Sequence, residues 1–186
     1  METSQDSLIL VDSDDQITGF ATKEEAHRGR GLPHRAFSIF LFDANDNLLL
    51  HKRSQEKPLW PGFWTNSCCS HPRRDEDILS AAKRRLFEEL GVRGSLRYVY
   101  QFYYQAQYLD VGSENEKCSV FIARINPGEK LNIDPSEISD IKWMRFDEID
   151  SWVSSREADC FTPWFLLEWS ALRSEYRNLL SDFLAS

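Results

Sequence analysis

Apolar residues change their spacing from segment to segment along the chain, and each spacing predicts a different element. Ala36–Phe42 is a short aromatic and β-branched run, followed by the turn-rich Asp43–Asn47 and then by Leu48–His51. Together they predict a β-hairpin. Further strands are expected over 96–109, rich in Tyr and Phe, over 118–125 and over 141–146. Between the hairpin and these strands, Ile78, Ala82, Leu86 and Leu90 recur four apart, which predicts a helix over 77–90 with Gly91 as a left-handed C-cap. A second helix is expected over 164–184. Strands on both sides of a central helix imply an α/β or α+β fold, a mixed β-sheet sandwiched by helices. No repeat, low-complexity tract or linker divides residues 1–186, so a single domain is expected.

Composition agrees with that size and narrows the partners. A domain of 186 residues buries roughly 70% of the surface its unfolded chain exposes, and the 41% apolar content fills such a core without disulfides. The net charge of -8 argues against nucleic acid or an anionic membrane as partner. The charge is uneven: residues 1–20 carry five acids and no base, 21–93 carry 13 bases and 10 acids (+3), and 94–186 carry 9 bases and 15 acids (-6). A locally cationic segment leaves room for a small anion. The four cysteines, Cys68, Cys69, Cys118 and Cys160, are too few and too irregularly placed for a secreted disulfide framework. With no signal-like or membrane-length apolar stretch, a soluble cytoplasmic protein is expected, a monomer or weak homodimer.

The predicted central helix carries the most informative spacing. Glu76, then Arg84-Arg85-Leu86-Phe87-Glu88-Glu89-Leu90-Gly91-Val92, resembles the signature of the Nudix family, GX5EX7REUXEEXGU with U apolar, over residues 70–92. Ser70 replaces the first glycine and Arg85 replaces the glutamate of REU. Arg85 lies one turn before Glu89, so a carboxylate of the family's metal cluster becomes a fork of donors suited to phosphate oxygens. Without the preceding Glu76 and the terminal glycine, the same residues would read as salt-bridged helix surface. Just upstream, Trp60–Pro72 is a shaped loop holding Cys69 and His71 two residues apart. Structural zinc is an alternative for that pair, but the second half of such a site is missing.

TNSCCSHP followed by AAKRRLFEELGV is similar to the type 1 isopentenyl diphosphate isomerases, divergent Nudix relatives. The likeness extends to the histidine segment at 27–38, the WPGFWTNS loop, Glu114-Asn115-Glu116 and Thr162-Pro163-Trp164. It implies that His27, His34, His71, Glu114 and Glu116 hold a divalent metal, Mn²⁺, Zn²⁺ or Mg²⁺. It implies Cys69 and Glu116 as the acid/base pair of a 1,3 proton shift, Tyr104 as the hydrogen-bonding helper of Glu116, and Trp164 as the π face that stabilises a carbocation. Lys23, Arg53, Lys57 and Arg85 would grip the diphosphate of a small isoprenoid substrate. Glu89 and the Cys69 carbonyl would hold a Mg²⁺ that arrives with it. His51 and Cys68 receive no role. Two other readings stay open on the residues alone: a Nudix pyrophosphohydrolase, which Arg85 and the Cys/His set oppose, and a zinc-stabilised binding module, which predicts no dependence on the thiol.

Overall fold

A computed structural model describes residues 7–155 and 157–185. In chain order the elements are β1 (Leu8–Val11), β2 (Ile17–Ala21), α1 (Lys23–His27), β3 (His34–Phe42), β4 (Leu48–Arg53), β5 (Trp64–Thr65), β6 (Cys68–Ser70), α2 (Ile78–Leu90), β7 (Leu96–Tyr108), β8 (Gly112–Arg124), β9 (Ile138–Met144), α3 (Phe146–Val153), a 3₁₀ turn (Ala158–Cys160), α4 (Pro163–Arg173) and α5 (Arg177–Leu184). The nine strands form one mixed sheet within a single domain.

β3 is the hub of that sheet. It runs parallel to β8 from His34↔Glu116 to Phe42↔Arg124 and antiparallel to β6 through Phe37↔Ser70, Ser38↔Cys69 and Ile39↔Cys68. The expected hairpin with β4 closes at one pair only, Phe42↔Leu48. Beyond it β4 leaves β3 to pair with β9 and β5. Because side chains alternate along a strand, β3 feeds two cores. Phe37, Ile39 and Leu41 pack with Leu86 and Leu90 of α2. Ala36, Phe40 and Phe42 pack with Trp164, Phe165, Trp169 and Leu172 of α4. Each fully buried Leu or Phe stabilises the layers by roughly 1.5–3 kcal/mol, so both faces of β3 are held.

α2 forms as its spacing predicts. Asp77 caps it by accepting from the Ser80 amide at 3.0 Å, and Gly91 ends it at φ 73°. A Cβ at Gly91 would lie 2.8 Å from the Asn132 side chain, so both the backbone angle and the space require glycine. Two expectations need correction. The helix over 164–184 is two helices, α4 and α5, broken at Ser174 where φ and ψ are -117° and -83°. The strand over 118–125 begins at Gly112, because Ser113–Lys117 is polar for the sake of what it faces rather than for want of a strand. β1, β2, α1 and α3 are short, and their apolar positions are too few to show a period.

Candidate active site

Strand alternation builds the site before any chemistry is considered. Ser38 and its partner Cys69 project to the α4 side of the sheet, as do Ala36 with Cys118, and His34 with Glu116. Cys68 projects to the other side, into the α2 core, fully buried. Across β8, Tyr104 of β7 stands opposite Glu116, and Ala106 opposite Glu114. A cavity of about 420 Å³ opens over this face, and Lys23, His27, Ser38, Arg53, Lys57, Cys69, His71, Arg85, Tyr104, Glu114, Glu116 and Trp164 all line it.

At one end, donor atoms of His27, His34, His71, Glu114 and Glu116 lie within 4.8 Å of one another. The three rings crowd together with centroids 4.8, 5.3 and 4.9 Å apart. His27 Nδ1 meets the Lys23 carbonyl at 2.6 Å and His34 Nδ1 meets the Leu32 carbonyl at 2.7 Å. Backbone acceptors at Nδ1 place the lone pairs on Nε2, facing the cluster. His34 Nε2 and Glu114 Oε2 are buried without a hydrogen-bond partner, although Glu114 Oε2 sits 2.8 Å from His27 Nε2. Burial, then the neighbouring His34 and His27, hold His71 well below its ordinary pKa, so it is a neutral imidazole. Burial alone would lower His27 too, but the Glu114 carboxylate outweighs it and pushes this pKa up. Three imidazoles and two carboxylates with unsatisfied atoms converging on one point fit a divalent cation.

Next to that cluster stand the proposed acid and base. Tyr104 donates to Glu116 Oε2 at 2.7 Å, and Glu116 Oε1 lies 2.9 Å from His71 Nε2. Burial alone would raise the Glu116 pKa, but His34, Tyr104 and His27 outweigh it and hold the group below the usual range, as a carboxylate. The Cys69 thiol goes the other way. Burial and then the nearby Glu168 carboxyl push it up to about 12, so it carries its proton at neutral pH. It donates to Asn66 Oδ1 at 2.8 Å and meets Ser38 Oγ at 3.6 Å. Trp164 is buried beside them with the Arg53 guanidinium 5.3 Å from its ring centroid, so its face already accommodates a cation.

The far end of the cavity is cationic. Arg53 is held by the Leu59 and Trp60 carbonyls at 2.8 and 3.1 Å. Arg85 donates to Glu89 at 2.6 Å and to Glu137 at 2.9 Å, and Glu137 also pairs with Lys57. Lys23 is lowered by burial and then by Lys57, so an added anion would relieve both burdens. Glu89 is buried beneath Arg85. Arg84 pairs with Glu76 and Glu88 on the outer side of α2, and Glu88 also meets Arg85 at 3.1 Å. His51 is a core residue of β4: its ring meets the Ser67 carbonyl at 3.0 Å, and burial brings its pKa to about 3.

Sequence reasoning assigned nothing to Asn66, Glu137 and Glu168. Glu137 stands in the loop before β9, and its carboxylate, raised by burial but lowered more by Lys57 and Arg85, settles at about 2. No spacing marks it or Asn66. Glu168 could have been found: it shares the helical stripe of Trp164 and Leu172, four residues from each, where an apolar side chain is expected.

Residues 32–165 match the NUDIX domain family. The chain is 38% identical over 177 residues to Isopentenyl-diphosphate Delta-isomerase 1 of Photorhabdus laumondii, covering 94% of this chain and 99% of that one. It is 40% identical over 159 residues to the Isopentenyl-diphosphate Delta-isomerase of Serratia proteamaculans, with 86% and 87% covered, and 34% identical over 185 residues to that of Schizosaccharomyces pombe, with 88% and 80% covered. Among solved structures, a Deinococcus radiodurans protein superposes with a TM-score of 0.65 at 22% identity, covering 81% of this chain and 90% of that one. A MutT protein of Methanosarcina mazei superposes with a TM-score of 0.61 at 14% identity, with 78% and 95% covered. At those identities the two structures speak for the fold.

Proposed function

Since the chain belongs to the NUDIX family and, within it, to the isopentenyl-diphosphate Delta-isomerases, we propose that Cys69 and Glu116 are the two proton-transfer groups of its reaction. The enzyme is an isomerase that interconverts isopentenyl and dimethylallyl diphosphate in isoprenoid biosynthesis. The double bond moves by protonation at one end of a three-carbon unit and loss of a proton at the other, through a tertiary cation. One group must hold a proton while its counterpart lacks one. A thiol with a pKa of about 12 and a carboxylate held below its usual range, lining one cavity, is the observation that carries this reading.

The remaining residues divide the work. Lys23, Arg53, Lys57 and Arg85 grip the diphosphate, Arg85 through the positive charge it holds among Glu88, Glu89 and Glu137. That grip fixes the five-carbon tail against Cys69, Tyr104 and Trp164. The Trp164 ring stabilises the cation without adding to it, and the buried aromatic wall excludes the water that would quench it. Tyr104 orients Glu116. His27, His34, His71, Glu114 and Glu116 would hold Mn²⁺, Zn²⁺ or Mg²⁺, and Glu89 with the Cys69 carbonyl would hold a Mg²⁺ that enters with the substrate. A bound divalent cation supplies positive charge that keeps Glu116 ionised and neutralises phosphate. With Arg85 in place of one helix carboxylate and its guanidinium occupied by Glu89 and Glu137, the hydrolytic reading loses a ligand.

Turnover of isopentenyl diphosphate in heavy water separates the two reactions. The isomerase incorporates deuterium into dimethylallyl diphosphate and leaves the diphosphate whole. Release of inorganic phosphate without label in the hydrocarbon would instead make the chain a hydrolase.

A further inference from the structure

Behind the cavity wall, Glu168 of α4 is completely buried and is used by no step above. Its Oε1 accepts from the Cys118 thiol at 3.6 Å. Its carboxyl also lies beside the Ser38 hydroxyl, yet Oε2 has no partner that satisfies hydrogen-bond geometry. Ser38 Oγ in turn is 3.5 Å from Cys118 Sγ and 3.6 Å from Cys69 Sγ. The groups that act on Glu168 are Ser38 from β3 with Cys118 and Glu116 from β8, and Glu168 in turn acts on Cys69 from β6 and Tyr100 from β7. None of these is a cation, and an ionised carboxylate sealed in with none is strongly disfavoured.

We propose that Glu168 is a positioning residue for the isomerisation: as a neutral acid it donates to Ser38 and so directs the single Ser38 hydroxyl proton at the Cys69 sulfur. Counting donors permits this arrangement, in which Cys118 gives its proton to Glu168 Oε1 rather than to Ser38 Oγ 3.5 Å away. A serine hydroxyl has one proton to donate, and a thiol has one. With Glu168 protonated, its O–H goes to Ser38 Oγ, Ser38 donates to Cys69 Sγ, and Cys118 donates to Glu168 Oε1, so each donor has one acceptor. With Glu168 ionised, both of its oxygens accept, Ser38 turns its proton to the carboxylate, and Cys69 loses that donor. The sulfur is then less able to carry negative charge while its proton is on the substrate. Burial first, and then Glu116, push the Glu168 pKa up to about 8, so the neutral form prevails at neutral pH and is lost as pH rises through that value.

The inference rests on Cys69 being one of the two proton-transfer groups, and its test is separable from that reading. Steady-state kinetics of the metal-loaded enzyme on isopentenyl diphosphate are compared for the wild type, Glu168→Gln and Glu168→Leu between pH 6 and 10. A glutamine amide donates to Ser38 and its carbonyl accepts from Cys118 at every pH. Glu168→Gln is therefore expected to keep kcat near the wild-type value at pH 7 and to lack the decline in kcat centred near pH 8 that the wild type shows. Glu168→Leu is expected to lower kcat roughly 10- to 100-fold, the scale of a hydrogen bond to a charged group, with KM unchanged. Ser38→Ala covers the case in which the leucine variant does not fold, and it too should lose the decline near pH 8. A Glu168→Gln enzyme that keeps the decline, or that falls as far as Glu168→Leu, overturns the proposal. If Cys69→Ser turns over normally, it is the assignment of Cys69 that fails.

Discussion

Cys68 and Cys69 are adjacent in sequence and belong to different halves of the molecule. Cys68 lies in the apolar layer between β3 and α2, against Phe37, Ile39 and Leu86. Cys69 opens into the cavity on the α4 side, bonded to Asn66 and close to Ser38. Burial raises the pKa of both thiols, so acidity does not separate them. Partners do. Cys68 is hydrogen-bonded to the buried Glu89 of α2 and otherwise packed among apolar side chains, whereas Cys69 shares its layer with Ser38, Cys118, Glu116 and Glu168 as well as Trp164 and Phe165. The thiol on the α4 side opens into the cavity, and the one on the α2 side is sealed in the core.

If that division holds, damage to either face should be readable separately. The largest effect falls on the reactive face: removal of divalent metal by a chelator should abolish turnover while the far-ultraviolet circular dichroism stays native, and Mn²⁺ or Mg²⁺ should restore it. Survival of turnover in chelator would dissolve the metal cluster's role. Next, Arg85→Ala should raise KM for the diphosphate by about two orders of magnitude, since it removes a charge-assisted fork and leaves Glu89 and Glu137 without that partner. An unchanged KM would place the diphosphate elsewhere. Leu86→Ala acts on the opposite face. It should cost roughly 2–5 kcal/mol of stability in denaturant unfolding, with kcat nearly unaltered below the unfolding temperature. A large fall in kcat at full occupancy of the folded state would show that the two layers are coupled.

Glu168 supplies the most discriminating effect, because it puts a titratable group inside the apolar part of the reactive face. Its folded pKa of about 8 lies above the ordinary 4.5, so the folded state keeps a proton that the unfolded chain gives up. Stability from this group is therefore complete below the ordinary carboxylate range and falls as pH rises toward 8. Glu168→Gln removes that dependence. The variant's melting temperature should exceed the wild type's by more at pH 8 than at pH 5, with an upper bound of roughly 5 kcal/mol. Parallel curves at the two pH values would mean that the carboxyl is ionised and solvated.

How much of this was visible in the sequence depended on whether local spacing encodes it. α2 was legible residue by residue, from Asp77 to Gly91, since its contacts repeat every turn. The metal cluster was legible only through resemblance: His27, His34, His71, Glu114 and Glu116 come from α1, β3, the β6 to α2 loop and β8, and parallel pairing of β3 with β8 brings them together. No spacing encodes a parallel pairing across about eighty residues. The early start of β8 was hidden because its first residues are polar: Glu114 and Glu116 face the site, and Ser113 and Asn115 donate to the Gly29 and Gly31 carbonyls. Glu137 stayed invisible for a similar reason. It is one acid among many in an acidic half of the chain, and only the fold sets it between Lys57 and Arg85.

Alternation at the cysteine pair is the central claim, and serine substitution tests it most directly. Cys69→Ser and Cys68→Ser are assayed side by side for conversion of isopentenyl diphosphate, with substrate affinity measured separately. Cys69→Ser should lose at least about 10³-fold in kcat while still binding the diphosphate, because the hydroxyl is far less acidic than the thiol it replaces. Cys68→Ser should keep kcat within about threefold and lose roughly 1–3 kcal/mol of stability from its buried hydroxyl. Equal losses of kcat in the two variants, or turnover retained by Cys69→Ser, would contradict the assignment of the proton transfer to Cys69.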